Sequence, residues 1–351
     1  MSVGMSEASP GEKASRVFRQ RILSGMRPTG PLHIGHLSVL QNWVRLQREY
    51  ECFFAIADWH ALTTAYDEKT DYGGLASQIA LDWLSVGLDP KESAIFLQSR
   101  VSEHAELFLA LAMIAPLSWL ERVPSYKDQL QQLGNVGKDL RTFGFLGYPL
   151  LQAADIMLYK AHAVPVGEDQ LPHIELCREI VRRFNYMYEE VFPEPQGLVG
   201  SVPLLPGVDG RKMSKSYNNA IAIAASTEEI KGQVRMMITD PARLRKDDLG
   251  HPEVCVVHKF HQVYSPDVSR VEEACRGGRI GCVACKAYLA ENLDKELAPY
   301  RAKRLEWKEP GLVEQALKQG EERARQAAAE TMDEVRRAMG LVRGSGVPGH
   351  G

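Results

Sequence analysis

The amino-acid sequence predicts an α/β fold: a parallel sheet covered by helices on both faces, followed by an all-α C-terminal domain. Two observations carry this prediction. Short apolar runs alternate with segments of helical periodicity through the first part of the chain, a pattern typical of parallel sheets. Beyond the Pro/Gly-rich connector "FPEPQGLVGSVPLLPGVDG", the apolar spacing is mostly helical.

The individual elements follow in chain order. The strand candidates are "RILSGM", "ECFFAIADWHAL", "AIFLQS" and "AVPVG". The helix candidates are "IGHLSVLQNWVRLQREY", "GLASQIALDWLSVGL", "LLQAADIMLYKA" and "QLPHIELCREIVRRF". After the connector, Ser226 and Glu229 form a capping-box pattern that predicts a helix start. The last long helix follows Pro310.

Composition narrows the class of protein. A chain of 351 residues, 44% hydrophobic and 25% charged, has an ordinary globular balance and room for two or three domains. The net charge of −3 means that any nucleic-acid contact must come from a local basic patch. The polar N-terminal residues lack a signal-peptide core and no apolar run is long enough for a bilayer. We therefore expect no membrane association, a cytoplasmic location and reduced thiols.

The first segment with a chemical pattern is "GMRPTGPLHIGHL", directly after the first strand. The usual glycine-rich nucleotide motifs are absent. Instead, His33 and His36 flank Gly35 where the chain enters a helix, and a helix N-terminus favours phosphate. Gly35 leaves room for a nucleotide against the backbone. The simpler alternative is two surface histidines beside a turn.

The second segment is "GRKMSKSYNN", in the connector. Lys212 and Lys215 alternate with Ser214 and Ser216 in a surface loop. Ammonium groups carried by such a loop can stabilise charge as pyrophosphate leaves. The alternative is a solvated basic loop.

Together, "HIGH" and "KMSKS" resemble the paired motif of class I aminoacyl-tRNA synthetases. The chain resembles the bacterial-type tryptophanyl-tRNA synthetases more widely, through "ADWHALTT", "VPSYKDQL", "GYPLLQAADIMLY" and "VPVGEDQLPHIEL". This resemblance implies a Rossmann-type catalytic domain over residues 18–222 and a helical anticodon-binding domain over 223–343. Residues 1–17 are expected to form a flexible tail and 344–351 a disordered one. The family resemblance also implies a homodimer with tRNA spanning both subunits.

The resemblance further implies an ATP site, with Mg²⁺ accompanying the nucleotide but no protein ligand that the sequence names. Catalytic roles fall to His33, His36, Lys212 and Lys215. The ATP-binding residues would be Arg27, Pro28, Thr29, Gly35, His36, Gly167, Glu168, Asp169, Val202, Lys212, Met213, Ser214, Lys215 and Ser216.

The amino-acid site implied by the resemblance centres on Asp155, which would accept the indole N–H of L-tryptophan. Indole has a single N–H and no acceptor, so a carboxylate suits it. Tyr148 and Gln152 share its helix face, and His60 and Gln170 would hold the substrate's ammonium and carboxylate groups. The predicted function is tryptophan–tRNA ligase: ATP activates tryptophan to the adenylate, which is then transferred to tRNA(Trp).

Three alternatives remain at this stage. A tyrosyl-tRNA synthetase shares the architecture and a similar "YP…Q…D" helix. A catalytically silent tRNA-binding paralogue would have no need of intact "HIGH" and "KMSKS" elements. A small-molecule nucleotidyltransferase is the third alternative, but it gives the helical C-terminal region no function.

Four of the six cysteines, Cys255, Cys275, Cys282 and Cys285, have the spacing C-x19-C-x6-C-x2-C. Four thiolates can hold Zn²⁺ or a [4Fe–4S] cluster. A subset of the same family carries a [4Fe–4S] cluster on a similar stretch whose first gap is three residues longer, so the resemblance favours iron–sulfur. Nearby His258 and His261 keep zinc as the alternative. We expect Cys52 and Cys177 to lie in the core.

The predicted metal centre would clamp the helical domain and shape the surface that meets the anticodon. Basic residues around it, Arg276, Arg279 and the "RLRK" run of residues 243–246, could contact phosphate. Solvated helix faces are the alternative for these residues.

Overall fold

A computed structural model describes residues 19–124, 126–127, 139–200, 205–213 and 217–342. Its centre is a parallel sheet of five strands in the order β3-β2-β1-β4-β5. The strands are β1 (Arg21–Met26), β2 (Glu51–Ile56), β3 (Ser93–Leu97), β4 (Ala163–Val166) and β5 (Gln196–Val199). The predicted α/β fold with an all-helical C-terminal region is confirmed.

Strand β1 holds the central position. It pairs with β2 along its whole length, from Arg21 opposite Glu51 to Met26 opposite Ile56. On its other side it pairs with β4, with Ile22 opposite Ala163. The chain order therefore reverses at β1, and the crevice above the carboxyl ends of β1 and β4 is where ligands bind in open α/β sheets.

Four of the described helices of the sheet region correspond to predicted segments, although the one at residues 143–158 begins seven residues earlier than predicted. The other three, at residues 58–65, 103–112 and 117–121, are not predicted as helices from the sequence. The helices of this region are α1 (Leu37–Leu46), α2 (Asp58–Ala65), α3 (Tyr72–Val86), α4 (Glu103–Ala112), α5 (Leu117–Glu121), α6 (Phe143–Leu158) and α7 (Leu171–Met187). The run "ECFFAIADWHAL" is a strand only to Ile56, since helix α2 begins at Asp58.

The connector holds a strand that the sequence does not predict. Strand β5, "QGLV", lies at the edge of the sheet beside β4, and none of its four residues is fully buried. Since an edge strand faces solvent on one side, it lacks the continuous apolar run that marks the central strands.

The C-terminal region consists of helices α8 (Thr227–Met236), α9 (Val256–Tyr264), α10 (Val268–Arg276), α11 (Cys282–Trp307) and α12 (Leu312–Ala338). The predicted capping box starts α8: Ser226 Oγ accepts from Glu229 N, and Glu229 Oε2 accepts from Ser226 N at 2.7 Å. None of the helices in the described ranges is long and apolar enough to cross a membrane.

Helix α12 returns to the sheet and packs against β3. At Gly320 the backbones approach so closely that an added Cβ would lie 1.9 Å from the carbonyl oxygen of Ile95. Only glycine fits there. Beyond this point the small residues Ala324 and Ala328 join the core on one face of the sheet, together with Phe53 and Phe96.

A buried ion pair ties the C-terminal region to the turn that precedes His33. The Asp82 carboxylate in α3 is 3% exposed and accepts hydrogen bonds from the backbone N of Leu32 at 3.2 Å and from the Arg304 guanidinium in α11. Arg304 also donates to Gln78 Oε1 at 3.0 Å. Because Asp82 holds both partners, helix α11 and the "PTGPLHIGH" turn share one anchor.

We expect Asp82→Ala to lower the free energy of unfolding by about 3 kcal/mol, because it leaves the Arg304 guanidinium buried without its carboxylate. Chemical denaturation measures this loss. The double variant Asp82→Leu/Arg304→Met should recover part of it, since no unpaired charge remains. Arg182→Ala, which breaks the exposed pair with Glu194, is the matched control and should change little. Equal losses in Asp82→Ala and the control would contradict this role.

Candidate active site

A pocket of ≈ 400 Å³ opens at the carboxyl ends of β1, β2 and β4. Each strand contributes residues just past its end: Arg27 after β1, His60 after β2, and Gly167 and Gln170 after β4. The pocket therefore lies at the reversal point of the strand order, where parallel α/β sheets place their ligands.

Helix α6 forms a wall of this pocket. Tyr148, Gln152 and Asp155 lie three or four residues apart on one helix face and all line the pocket. His173 of α7 completes this side, with its ring centroid 5.5 Å from that of Tyr148. Burial lowers the pKa of His173 to about 4, so this imidazole is neutral at physiological pH.

Asp155 is the buried anion of the site. Its carboxylate is contacted by His60 Nε2 at 2.7 Å, His104 Nδ1 at 2.7 Å and Gln98 Nε2 at 2.8 and 3.0 Å. Burial raises the pKa of Asp155, but the interactions with His104 and His60 outweigh it and hold that pKa well below the usual carboxyl range. Asp155 is therefore ionised in the pocket wall.

Two partners of Asp155 are absent from the sequence-based prediction. Gln98 directly follows the carboxyl end of β3. A polar residue at the end of a buried strand is the one sequence feature that could have indicated a site residue there. His104 lies in the first turn of α4 and matches no motif. Asp58 joins the start of α2 to the turn after β3, because its carboxylate accepts a hydrogen bond from the backbone N of Ser99 at 3.0 Å.

The "HIGH" segment forms a 3₁₀ turn, Ile34–His36, that leads into α1. The two histidine rings lie close together, with centroids 3.9 Å apart, and His36 Nδ1 accepts from the backbone N of His33 at 3.2 Å. The backbone of Ile34 donates to the Ile221 carbonyl at 2.9 Å, and Ile223 donates to the Leu32 carbonyl at 3.0 Å. The turn is therefore paired with the segment that follows the lysine loop.

The two motifs also touch through side chains. A Cβ added to Gly35 would lie 3.3 Å from Met213 Sδ and 2.9 Å from His33 Nδ1. Met213 is 8% exposed and belongs to the core, while the neighbouring Lys212 is exposed. The other predicted loop residues, Ser214, Lys215 and Ser216, lie outside the described residues, as does Val202.

The remaining residues predicted for ATP directly follow the carboxyl ends of β1 and β4. Arg27, Thr29, Gly167, Glu168 and Asp169 are exposed and Pro28 is buried. Of these, Arg27 and Gly167 line the pocket. Gln170, predicted for the amino acid, also lines it and donates to Asp169 Oδ2 at 3.0 Å.

The four clustered cysteines come together between α9, α10 and the start of α11, and all are free thiols. Burial, with Cys255, Cys275 and Cys282 nearby, raises the pKa of the Cys285 thiol to about 12. Cys285 Sγ also lies 3.3 Å from His261 Nε2. Cys52 and Cys177 are buried, as predicted.

Arg243 faces this cysteine cluster. It is 9% exposed, and its Nη1 lies 3.8 Å from Cys275 Sγ and 4.0 Å from Cys282 Sγ. Its Nη2 donates to the carbonyls of Lys246 and Ile280, and no carboxylate in the described ranges pairs with it. The expectation that Arg243 contacts phosphate at the surface is wrong, because its guanidinium points inward.

The cluster as it stands is a set of thiols rather than a formed metal site. No group of three or more His, Cys, Asp or Glu side chains in the described part of the chain has a metal-binding arrangement. Among the basic residues predicted between the thiols, Arg276 pairs with Glu272 at 2.8 Å and Glu253 at 3.1 Å. Arg279 donates to the Glu273 carbonyl at 3.3 Å.

Comparison with known families agrees with this fold and pocket. Residues 18–298 match the family model described as class I tRNA synthetases for W and Y. The match spans most of the chain, including both "HIGH" and "KMSKS". Fold and pocket thus define a class I aminoacyl-tRNA synthetase of the tryptophan and tyrosine group.

Individual relatives resolve the group further. The chain is 53% identical to the tryptophan–tRNA ligase of Thermotoga maritima, over 92% of this chain and 99% of that protein. It is 44% identical to that of Aquifex aeolicus, over 92% and 100%. The crystal structure of Campylobacter jejuni tryptophanyl-tRNA synthetase with ADP and tryptophan superposes with a TM-score of 0.82 at 33% identity, covering 92% of this chain and all of that one.

The chain therefore belongs to the tryptophan–tRNA ligases. The predictions of an aminoacyl-tRNA synthetase and of tryptophan–tRNA ligase function are confirmed at the level of the family.

Proposed function

We propose that the pocket at the reversal point binds L-tryptophan, with the indole N–H directed to Asp155. The observation that carries this assignment is an ionised carboxylate buried in the wall of a pocket at the carboxyl edge of the sheet. An ionised carboxylate only accepts hydrogen bonds, and indole offers one N–H to it. Tyr148 and Gln152 lie against the same ligand. Gln170 serves its polar end, and His60 does so once the indole N–H replaces it at Asp155.

ATP occupies the open end of the pocket in this proposal. Arg27, Pro28 and Thr29 form one border and Gly167, Glu168 and Asp169 the other, with Asp169 at the ribose hydroxyls. Gly35 lets the nucleotide lie against the protein backbone, and His36 faces the nucleotide. Val202 contacts the adenine, and residues 212–216 cover the phosphates with Mg²⁺ bound as part of the substrate.

The reaction needs no protein nucleophile. A tryptophan carboxylate oxygen forms a bond to the α-phosphorus of ATP, the bond to the bridging oxygen breaks, and pyrophosphate leaves with the electron pair. The enzyme aligns the reactants, and His33, His36, Lys212 and Lys215 offset the growing negative charge. The ribose hydroxyl at the end of tRNA(Trp) then attacks the adenylate carbonyl, and AMP leaves.

Amino-acid-dependent exchange of pyrophosphate into ATP tests the assignment. We expect exchange with tryptophan and none above background with tyrosine at equal concentration, because the chain belongs to the tryptophan–tRNA ligases. Lys212→Ala should slow exchange with little effect on stability, since this side chain is exposed. Exchange driven by tyrosine alone would overturn the substrate, and none with either would favour a silent tRNA-binding paralogue.

We further propose that Cys255, Cys275, Cys282 and Cys285 hold a [4Fe–4S] cluster, with Zn²⁺ as the alternative. The thiols would need to rearrange to bind a metal, and the surroundings support an anion there. Arg243 is a buried cation without a carboxylate in the described ranges, and its Nε has no hydrogen-bond partner among the described residues. A buried charge needs a counter-charge. A metal centre bound by four thiolates supplies this negative counter-charge and links α9, α10 and α11.

Iron analysis of protein purified without air tests this centre. We expect a brown protein with about four iron atoms per chain. Cys282→Ser should lose the metal, whereas Cys177→Ala, which removes a distant buried thiol, should keep it. A colourless anaerobic protein that carries zinc would contradict the iron–sulfur assignment and favour the alternative.

The protein acts as a homodimer in this proposal, with tRNA(Trp) spanning both subunits and residues 223–343 reading the anticodon. Large apolar side chains are exposed on or beside neighbouring helices: Leu109 of α4, Met113 directly after α4, Leu117 of α5 and Phe143 of α6, with exposures of 58%, 71%, 58% and 71%. Apolar patches of this kind mark interaction surfaces. A cytoplasmic location and the domain boundaries stay predictions.

Sedimentation of the intact protein tests the dimer. Met113→Glu should shift the protein toward monomer, because a charge in an apolar interface is left unpaired. Leu244→Glu is the matched control, since Leu244 is 88% exposed and outside the patch. A monomeric parent protein, or a dimer that Met113→Glu leaves intact, would contradict the proposed interface.

A further inference from the structure

Behind the pocket wall, a hydrogen-bond chain runs from Asp155 to two side chains that solvent does not reach. His104, in α4, and Tyr159, directly after α6, are both 0% exposed. His104 Nδ1 lies 2.7 Å from Asp155 Oδ1, and His104 Nε2 lies 2.8 Å from the Tyr159 hydroxyl. Neither residue lines the pocket, so neither touches a substrate bound there.

With a neutral His104 imidazole, this hydrogen-bond network has one consistent placement of hydrogens. An ionised carboxylate only accepts, so His104 Nδ1 carries a hydrogen toward Asp155. Burial raises the pKa of Tyr159 well above its usual value, so its hydroxyl keeps its hydrogen. That hydroxyl makes no other hydrogen bond in the described part of the chain and donates to His104 Nε2. Tyr159 thereby fixes the His104 tautomer.

The aromatic packing holds this arrangement rigid. Tyr159 stacks on Phe53 with ring centroids 4.5 Å apart and lies 5.5 Å from Phe96. The His104 ring is 6.0 Å from Phe96. All these side chains are essentially buried, so the His104 ring has no space to turn away from Asp155.

The donors around Asp155 differ in how readily they can leave. A carboxylate has about four lone-pair sites, and His60, His104 and the amide of Gln98 already occupy them. An incoming N–H must replace one donor. The His60 side chain is 13% exposed and lines the pocket, whereas His104 and Gln98 are fully buried. His60 is the donor that a substrate can displace.

We propose that His104, fixed by Tyr159, is a specificity-determining positioning residue for the amino-acid substrate. Its Nδ1–H holds one oxygen of Asp155 so that the other, Oδ2, faces the pocket as a charged acceptor. The network therefore sets how strongly the enzyme prefers an aromatic ring with N–H over an isosteric ring without one. This inference rests on the proposed placement of the indole against Asp155.

The test compares tryptophan with β-(3-benzothienyl)alanine, in which sulfur replaces the indole N–H. In pyrophosphate exchange with the intact enzyme, the ratio of kcat/KM for the two amino acids measures the preference. We expect His104→Leu to lower this ratio roughly tenfold, through KM for tryptophan rather than kcat. His104→Asn, whose amide can donate in place of Nδ1–H, should stay within roughly threefold of the parent ratio.

Tyr159→Phe keeps the ring and its packing, and should lower the ratio roughly threefold because the tautomer is no longer fixed. Phe184→Leu, which alters buried aromatic packing against Tyr188 and Phe192 rather than against Tyr159, should leave the ratio unchanged. An unaltered ratio in Tyr159→Phe, or an equal loss for both amino acids in His104→Leu, would overturn the role of His104.

Asp155→Asn separates this inference from the proposed function. We expect it to lower the ratio at least tenfold, since the charged acceptor is gone. If Asp155→Asn leaves the ratio unchanged, the placement of the indole fails and the inference fails with it. If Asp155→Asn lowers the ratio while both network variants keep it, only the role of His104 is wrong.

Discussion

The parallel pairing of β1 with β2 on one side and β4 on the other is the constraint on which the site depends. Because parallel strands end at the same edge of a sheet, this pairing brings Arg27, His60 and Gly167 to one crevice from positions far apart in the chain. The chain order reverses at β1, so the helices on its two sides diverge and leave the crevice open.

Two further sets of contacts fix the position of the "HIGH" turn relative to the rest of the chain. The "HIGH" turn is paired through its backbone with residues 221–223 and packs through Gly35 against Met213. The same turn is held from behind by Asp82, which also binds Arg304 of α11. A displacement of the C-terminal helices therefore acts on the backbone that leads into the signature histidines. This is a physical connection between the cysteine-bearing helix and the turn that leads into the "HIGH" segment.

The sequence predicts the central strands and several of the helices because each has a local cause, such as an apolar run or the capping box at Ser226. Strand β5 escapes prediction because an edge strand needs no apolar run. The contact of Gly35 with Met213 joins distant segments, which periodicity cannot pair, so only the family resemblance brings the two motifs together. Gln98 and His104 are missed for the same reason: they meet Asp155 only after three elements have packed. From the sequence alone Arg243 is expected at the surface, whereas in the structure the surrounding segments bury it.

The neighbourhood of Asp155 shows why such partners matter. A carboxylate taken out of water without donors would gain a proton instead of keeping its charge. Here burial alone would raise the pKa of Asp155, yet the histidine contacts reverse the shift. The charge is thus maintained by side chains from α2, α4 and the turn after β3, all packed before any ligand arrives. Preorganised donors cost nothing at the moment of binding, because folding has already ordered them. The negative charge in the pocket wall is therefore a property of the core as much as of the pocket lining.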